Sequence, residues 1–292
     1  MNQELSTDQI QSILQGVSIP PQPQIMVDLQ MEQVSPNCSM EKISELICQD
    51  VGLSGSILKT VNSDFFGHTN RITSINQAVN LLGVKSVVNL VNALSIRGEL
   101  SDHDIINLGR FWDSAMEVAM ASTLIAKRIG FPHVDEAYTL GLFHNCAIPL
   151  CMARFSNYIA VEEQAYGSQD ESITEVENRL IKTNHGVVGY YVGRSWRLPE
   201  YLCQAIHEHH RVEGILGEAR NDPRKTTLLA ILKIAEHACA LYSILGNQDE
   251  NYEWQRVEAE VLEYTGLSQP DFLSLLGSIE EIGLGARDYY RC

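Results

Sequence analysis

The sequence predicts an all-α fold, with an N-terminal multi-helix subdomain over residues 1–100 packed on a helical bundle with C-terminal helices over residues 101–292. Three observations lead there. Apolar residues recur at i, i+3, i+4 and i+7 in almost every long segment, and no convincing pair of alternating segments stands beside them. The breaks between segments carry helix-start and helix-stop residues rather than hairpin turns. With 292 residues, 45% apolar and 20% charged, the chain is also long enough and apolar enough for substantial cores.

The elements follow in chain order. A short helix near Thr7–Gln15 puts Ile10, Ile13 and Leu14 on one face. Pro20, Pro21 and Pro23 impose an extended passage before a helix over roughly Gln24–Val34. Ser39 caps a helix carrying Ile43, Leu46 and Ile47. Leu53, Ile57 and Val61 mark another, which stops at the turn-prone Asn62-Ser63-Asp64. Ser74 and Gln77 have capping-box spacing ahead of Ala78, Leu81 and Leu82; Gly83 ends that helix, and Val87, Val88, Val91 and Leu94 continue as the next.

The pattern lapses over Gly98–Leu108, which sets the boundary. A long helix near Gly109–Ile129 then carries Trp112, Met116, Ala119, Ile125 and Ile129 and ends at Gly130. Asp135 is placed to cap a helix with Ala137, Leu140, Gly141 and His144 on one side, and Pro149 kinks or restarts it. Ser172 and Glu175 form a capping box leading into the stretch Glu177–Arg211. There one helix carries His185, Val188, Gly189 and Val192 on a face and runs on to Trp196. Pro199 and Glu200 open a second, with Leu202, Ala205, Ile206 and His209 inward and His210 beside them. Lys225–Gly246 reads as one apolar helix with Glu236 embedded in it, and Ser268 with Asp271 begins a last helix through Leu276 and Ile279.

Charge narrows the function classes. Lys plus Arg is 21 against 37 Asp plus Glu, a formal net charge of −16, which repels phosphate backbones and anionic membranes, so no nucleic-acid partner is expected. No apolar run reaches the length of a membrane span, and the N-terminal MNQELSTDQI lacks a signal-peptide pattern. The seven cysteines form no CxxC pair and several fall on apolar stripes, as reduced thiols of a cytoplasmic protein would.

Chemistry concentrates in the histidines. Four of the nine lie in Glu177–Arg211. A single histidine on an inner helix face is usually a hydrogen-bonded core residue. Three of them, His144, His185 and His209, on separate helices and with His210 adjacent to the third, point to a shared polar site. Imidazole and carboxylate groups from several helices are how a divalent metal is held in an all-α core. Asp113, Glu117 and Glu236 are the carboxylates at hand.

The remaining candidates read as structural. His207 falls opposite Leu202 and Ile206, towards solvent, and His237 is a partner of Glu236 or a helix-end residue. Cys146 and Cys151 flank Pro149 as buried thiols, Trp112, Trp196 and Trp254 are core or interface anchors, and GNQDENYE at 246–253 is a solvated loop. No nucleophile motif, GxGxxG or P-loop is present.

NHGVVGYYVGRSWRLPEYLCQAIHEHH resembles the second half of an HDOD domain, a bacterial relative of the HD phosphohydrolases and HD-GYP phosphodiesterases. IPPQPQ near residue 19, VNSDFFG at 61–67 and ITSINQAVNLLG at 72–83 match its first half in order, so the resemblance covers roughly residues 15–245. It implies an HD-like bundle. In active HD enzymes a histidine on the first long helix, a His-Asp pair and a later aspartate hold the metal. Here those positions read Asp113, His144-Asn145 and Glu236, and the lysine of HDxGK reads Ile148. The histidines matching the extra ones of HD-GYP enzymes, His185, His209 and His210, remain.

A neutral amide bridges two cations poorly, so a two-metal site that makes hydroxide is expected to be lost. The expectation is a degenerate site that holds at most one divalent transition metal through His144, His185, His209, His210, Asp113 and Glu236. The chain then acts as a non-catalytic module of bacterial signal transduction, with a signalling protein as partner. No sensor, receiver or cyclase segment is recognised, which favours a stand-alone regulator. The alternatives are a phosphohydrolase of nucleotides or cyclic dinucleotides with altered ligands, and a pocket that senses a ligand without cleaving it.

Overall fold

The computed structural model describes residues 7–19, 24–49, 53–54, 57–58, 61–62, 72–84, 86–88, 91, 109–211 and 222–285. Among them it holds fifteen helices and no strand. By contacts the chain divides into one unit of Pro20–Ile106 and another of Met1–Ile19 with Asn107–Cys292. The first nineteen residues therefore group with the larger unit rather than with the helices that follow them.

In the smaller unit, α2 (Gln24–Val34), α3 (Met40–Cys48) and α4 (Ile75–Leu82) pack with α3 between the other two. Met26, Leu29, Ile43, Ile47, Ala78 and Val79 are buried; of the apolar residues the spacing marks out on α4, Ala78 is buried but Leu81 is exposed, and Val79 is buried instead. Ser39 and Ser74 cap α3 and α4 through the amides of Lys42 and Gln77. Gly83 ends α4 at a φ of +79°, open to glycine without strain. Leu53, Ile57, Val61, Val87, Val88 and Val91 are buried as expected. The Asn62 side chain clasps Ile72 from both sides: its Nδ2 donates to Ile72 O at 2.7 Å and its Oδ1 accepts from Ile72 N at 2.7 Å. Most of VNSDFFG, Leu94 and the expected boundary at Gly98–Leu108 lie outside the described residues.

The larger unit contains α1 (Thr7–Leu14) and the bundle α5 (Gly109–Arg128), α6 (Val134–Phe143), α7 (Ile148–Arg154), α8 (Tyr158–Tyr166), α9 (Ile173–Ile181), α10 (His185–Ser195), α11 (Glu200–Glu208), α12 (Pro223–Ala238), α13 (Leu241–Ile244), α14 (Tyr252–Thr265) and α15 (Gln269–Glu281). The helix α12 is central, packing on α5, α6, α11, α14 and α15. Every residue from Leu228 to Glu236 is buried, because helices cover it on several sides. Ser172–Glu175 and Ser268–Asp271 form complete capping boxes on α9 and α15.

Glycines set the close crossings that bring histidines together. A Cβ on Gly141 of α6 would lie 2.8 Å from the Ala119 Cα of α5. Along α10, Gly186, Gly189 and Gly193 form one stripe facing α11. Added Cβ atoms there would meet His207 O at 2.8 Å, Ile206 Cγ2 at 2.7 Å and Cys203 Sγ at 3.0 Å. Only the first meets backbone, which cannot swing aside. Gly186→Ala is therefore expected to destabilise by about 2–3 kcal/mol, an overpacking cost, as read from the urea midpoint.

Several local expectations need correction. Val134 opens α6 with His133 at its cap, so Asp135 falls in the first turn, where its charge complements the helix dipole. Pro199 is the cap of α11 rather than its first residue, and His209 and His210 stand in the turn that follows the helix. Lys225–Gly246 is not one helix. Ala240 adopts a left-handed φ of +53° between α12 and α13, and this turn carries Tyr242 into a cluster with Tyr166, Ile173 and Val176. The acidic stretch 246–253 is not wholly a solvated loop, since it runs into α14 and its Glu253 turns inward. His207 is half-buried rather than solvent-facing.

Candidate metal centre

Four histidines from three places in the chain meet inside the larger unit, and all are almost fully buried. Each has its Nδ1 engaged from outside the cluster. His144, at the end of α6, donates from Nδ1 to Gly141 O at 2.7 Å. His185, the first residue of α10, donates to Glu177 Oε2 at 2.8 Å. His209 donates to Ile206 O at 2.6 Å, and His210 to Glu253 Oε1 at 2.8 Å. These acceptors fix the proton on Nδ1 and turn the Nε2 lone pairs inward, the arrangement found where histidines bind metals.

The inward groups are short of donors. His185 Nε2 lies 3.3 Å from His209 Nε2, which also faces Asn145 Oδ1 at 3.2 Å. The Nε2 atoms of His144 and His210 have no hydrogen-bond partner. The ligand atoms of His185, His209 and His210 all lie within 4.8 Å of one another, so one cation could touch all three. The residues present thus fit a divalent transition metal, for which neutral imidazole is a favoured ligand. Burial opposes charge on His185, but Glu177 outweighs it and raises its pKa.

Behind His185, Glu177 is wholly buried, accepts the Tyr158 hydroxyl, and also takes the His185 amide at 3.3 Å. Glu162 shares this pocket, and burial first and Glu177 second raise its pKa to about 8. At the other end, Glu236 Oε1 is 3.5 Å from His144 Nε2, and the buried Lys233 sits 2.6 Å from Glu236 Oε2 and 3.0 Å from Glu253 Oε2. Burial raises Glu236 to about 7, against the pull of Lys233.

The structure therefore brings His185, His209 and His210 together and sets His144 with Glu236 beside them. The side chains of Asp113 and Trp112 lie outside the described residues, although α5 passes through both positions. Asn145 and Ile148 are both buried, at the positions where the resemblance expects an aspartate and a lysine. Sequence reasoning missed Glu177, Glu162, Lys233 and Glu253. One signal was available: Lys233 and Glu236 are spaced i, i+3 within an otherwise apolar helix, where unpaired charges have no place. His237, by contrast, lies stacked on Trp254 with ring centroids 4.8 Å apart, away from the four.

These shifts predict a peaked pH profile. Burial, the largest cause in each case, lowers His144 to about 3 and holds His209 and His210 well below their ordinary 6.5. Depressed imidazoles contribute stability that is present above pH 6.5 and lost as pH falls. Glu162 and Glu236 are raised from 4.5, so their contribution is present below 4.5 and lost as pH rises through about 7 to 8. Urea midpoints are expected to be highest between about pH 5 and 7 and to fall on both sides. A midpoint rising steadily to pH 9 would contradict the raised carboxyls.

The comparisons agree with this architecture. A crystal structure of a Shewanella amazonensis protein provisionally named a phosphohydrolase superposes with a TM-score of 0.65 at 21% identity, covering 93% of this chain and 94% of that one. An HDOD domain protein of unknown function from Geobacter sulfurreducens gives 0.62 at 19%, covering 94% and 97%. A Marinobacter aquaeolei protein provisionally named a signal transduction protein gives 0.64 at 19%, covering 97% of this chain and 60% of that one. At these identities the likeness is one of fold. Among curated proteins, an uncharacterized protein of Treponema pallidum is 24% identical over 195 residues, 66% of this chain. YuxH of Bacillus subtilis, also uncharacterized, is 29% identical over 125 residues, 41% of this chain. The matches span only 38% and 28% of those two relatives. The HDOD domain family model matches residues 19–212, a range that takes in all four clustered histidines and the whole of the smaller unit, and the chain belongs to the HDOD domain family.

Proposed function

We propose that this chain is a non-catalytic HDOD regulatory module that acts through contact with a signalling protein. The observation that carries this reading is Asn145. It is buried against His209 at 3.2 Å, at the position where the resemblance to two-metal HD enzymes expects an anion that bridges and neutralises two cations. An amide there leaves a centre able to hold one ion on His185, His209 and His210 but without the bridging anion on which a two-metal hydroxide depends. When bound, such a metal would supply a Lewis-acidic anchor; the chain's own residues orient the imidazoles through their Nδ1 acceptors and exclude water. No helix among the described residues is long and apolar enough to cross a membrane. The six described cysteines are all unpaired, which suits work in the cytoplasm.

The test of partnership is capture from extract of the native cells with the untreated and metal-stripped protein. A reproducible stoichiometric signalling protein supports the reading, and failure to recover one from repeated preparations counts against it. A second reading, a phosphohydrolase with altered ligands, is favoured by the four inward-turned Nε2 atoms. Metal-dependent turnover separates the two.

A further inference from the structure

Lys233 is 2% exposed, too deep for its ammonium to reach water along the side chain. Its Nζ stands 2.6 Å from Glu236 Oε2, 3.0 Å from Glu253 Oε2 and 3.5 Å from His210 Nδ1. Two carboxylates from different helices, α12 and α14, thus close on one amine. Burial opposes the charge, yet Glu236 and Glu253 outweigh it and raise the amine's pKa. The pair also connects to the histidines: Glu236 Oε1 lies 3.5 Å from His144 Nε2, and Glu253 Oε1 holds His210 Nδ1.

We propose that Lys233 is the built-in cation at the carboxylate end of the centre, holding Glu236 and Glu253 so that hard divalent ions are excluded there and any bound metal is confined to His185, His209 and His210. A divalent ion on Glu236 would stand within a few ångströms of the ammonium, where repulsion in a dry interior is large. Hard cations such as Mn²⁺ and Mg²⁺ depend on carboxylate oxygens, whereas imidazoles suit Zn²⁺ and Ni²⁺. The lysine would therefore decide which metals the centre accepts. This inference rests on reading the cluster as a metal centre, and it is independent of whether a protein partner exists.

The test compares Mn²⁺ and Ni²⁺ binding by calorimetry in wild type, Lys233→Met, Glu236→Gln and the double variant. Wild type is expected to prefer Ni²⁺ strongly, and Glu236→Gln to leave its Ni²⁺ affinity within about 2-fold because Glu236 is not a ligand. Lys233→Met frees two carboxylates, so its Mn²⁺ affinity should rise at least about 10-fold, and the double variant should lose that gain. Its melting temperature should fall by roughly 10 °C, with part of the loss recovered in the double variant. Equal Mn²⁺ affinity in wild type and Lys233→Met would overturn the proposal. Should Lys233→Met not fold, Glu236→Gln decides alone: a 10-fold loss of Ni²⁺ affinity would place Glu236 among the ligands and overturn it, and no loss would uphold it. Intact partner capture alongside a failed metal test would reject this inference while sparing the proposed function.

Discussion

Glu177→Ala is expected to destabilise the protein by about 3–5 kcal/mol, among the largest effects of any single substitution outside the apolar core. Glu177 is wholly buried and serves three donors at once: the Tyr158 hydroxyl, the His185 amide and the His185 ring. Truncation leaves all three unsatisfied in a dry interior and strips His185 of the charge that supports its proton. The consequence extends beyond stability. With Nδ1 no longer held, the ring is free to turn, and the 3.3 Å approach of its Nε2 to His209 loses its anchor. Urea denaturation should show the loss, and Ni²⁺ affinity should fall by about 10–100-fold, the usual effect of removing a histidine's supporting carboxylate. Unchanged values for both would mean that Glu177 only fills space.

Asn145→Asp is expected to act in opposite directions on the metal-free and metal-bound protein. The side chain is 2% exposed and faces the lone pair of His209. A carboxylate there is a buried anion with no cation, so the metal-free melting temperature should drop by roughly 6–12 °C, corresponding to about 3 kcal/mol. The same anion completes a ligand set of carboxylate and imidazoles, so affinity for Mn²⁺ or Zn²⁺ should rise at least about 10-fold, and saturating metal should restore the melting temperature. A variant that melts like wild type and binds no more metal would show that position 145 is not part of the centre.

Much of the fold was legible because helix signals are local. Ser172 with Glu175, Gly130 and Gly83 each act on backbone groups a few residues away, so spacing alone locates them. The same locality explains two misses. Asn157 makes no side-chain cap for α8, leaving that helix unannounced, and Ala240 turns left-handed without glycine because tertiary burial of Tyr242 demands it. The site divides along similar lines. His144, His185 and His209 stand out because histidine is uncommon on an apolar stripe. Glu177, Lys233 and Glu253 do not, since a charged residue on a helix is ordinarily assigned to solvent. Glu177 is held by Tyr158 and His185, 19 and 8 positions away, and Lys233 by Glu253, 20 positions on, and no periodicity encodes those pairings.

The most direct measurement is metal-dependent turnover of a phosphodiester, bis(p-nitrophenyl) phosphate, together with a cyclic dinucleotide, by protein reconstituted with Mn²⁺, Zn²⁺ or Ni²⁺. With Asn145 in place of a bridging carboxylate, hydrolysis should not exceed that of the metal alone, and His185→Ala should change nothing. Turnover well above the metal background that disappears in His185→Ala would contradict a non-catalytic centre.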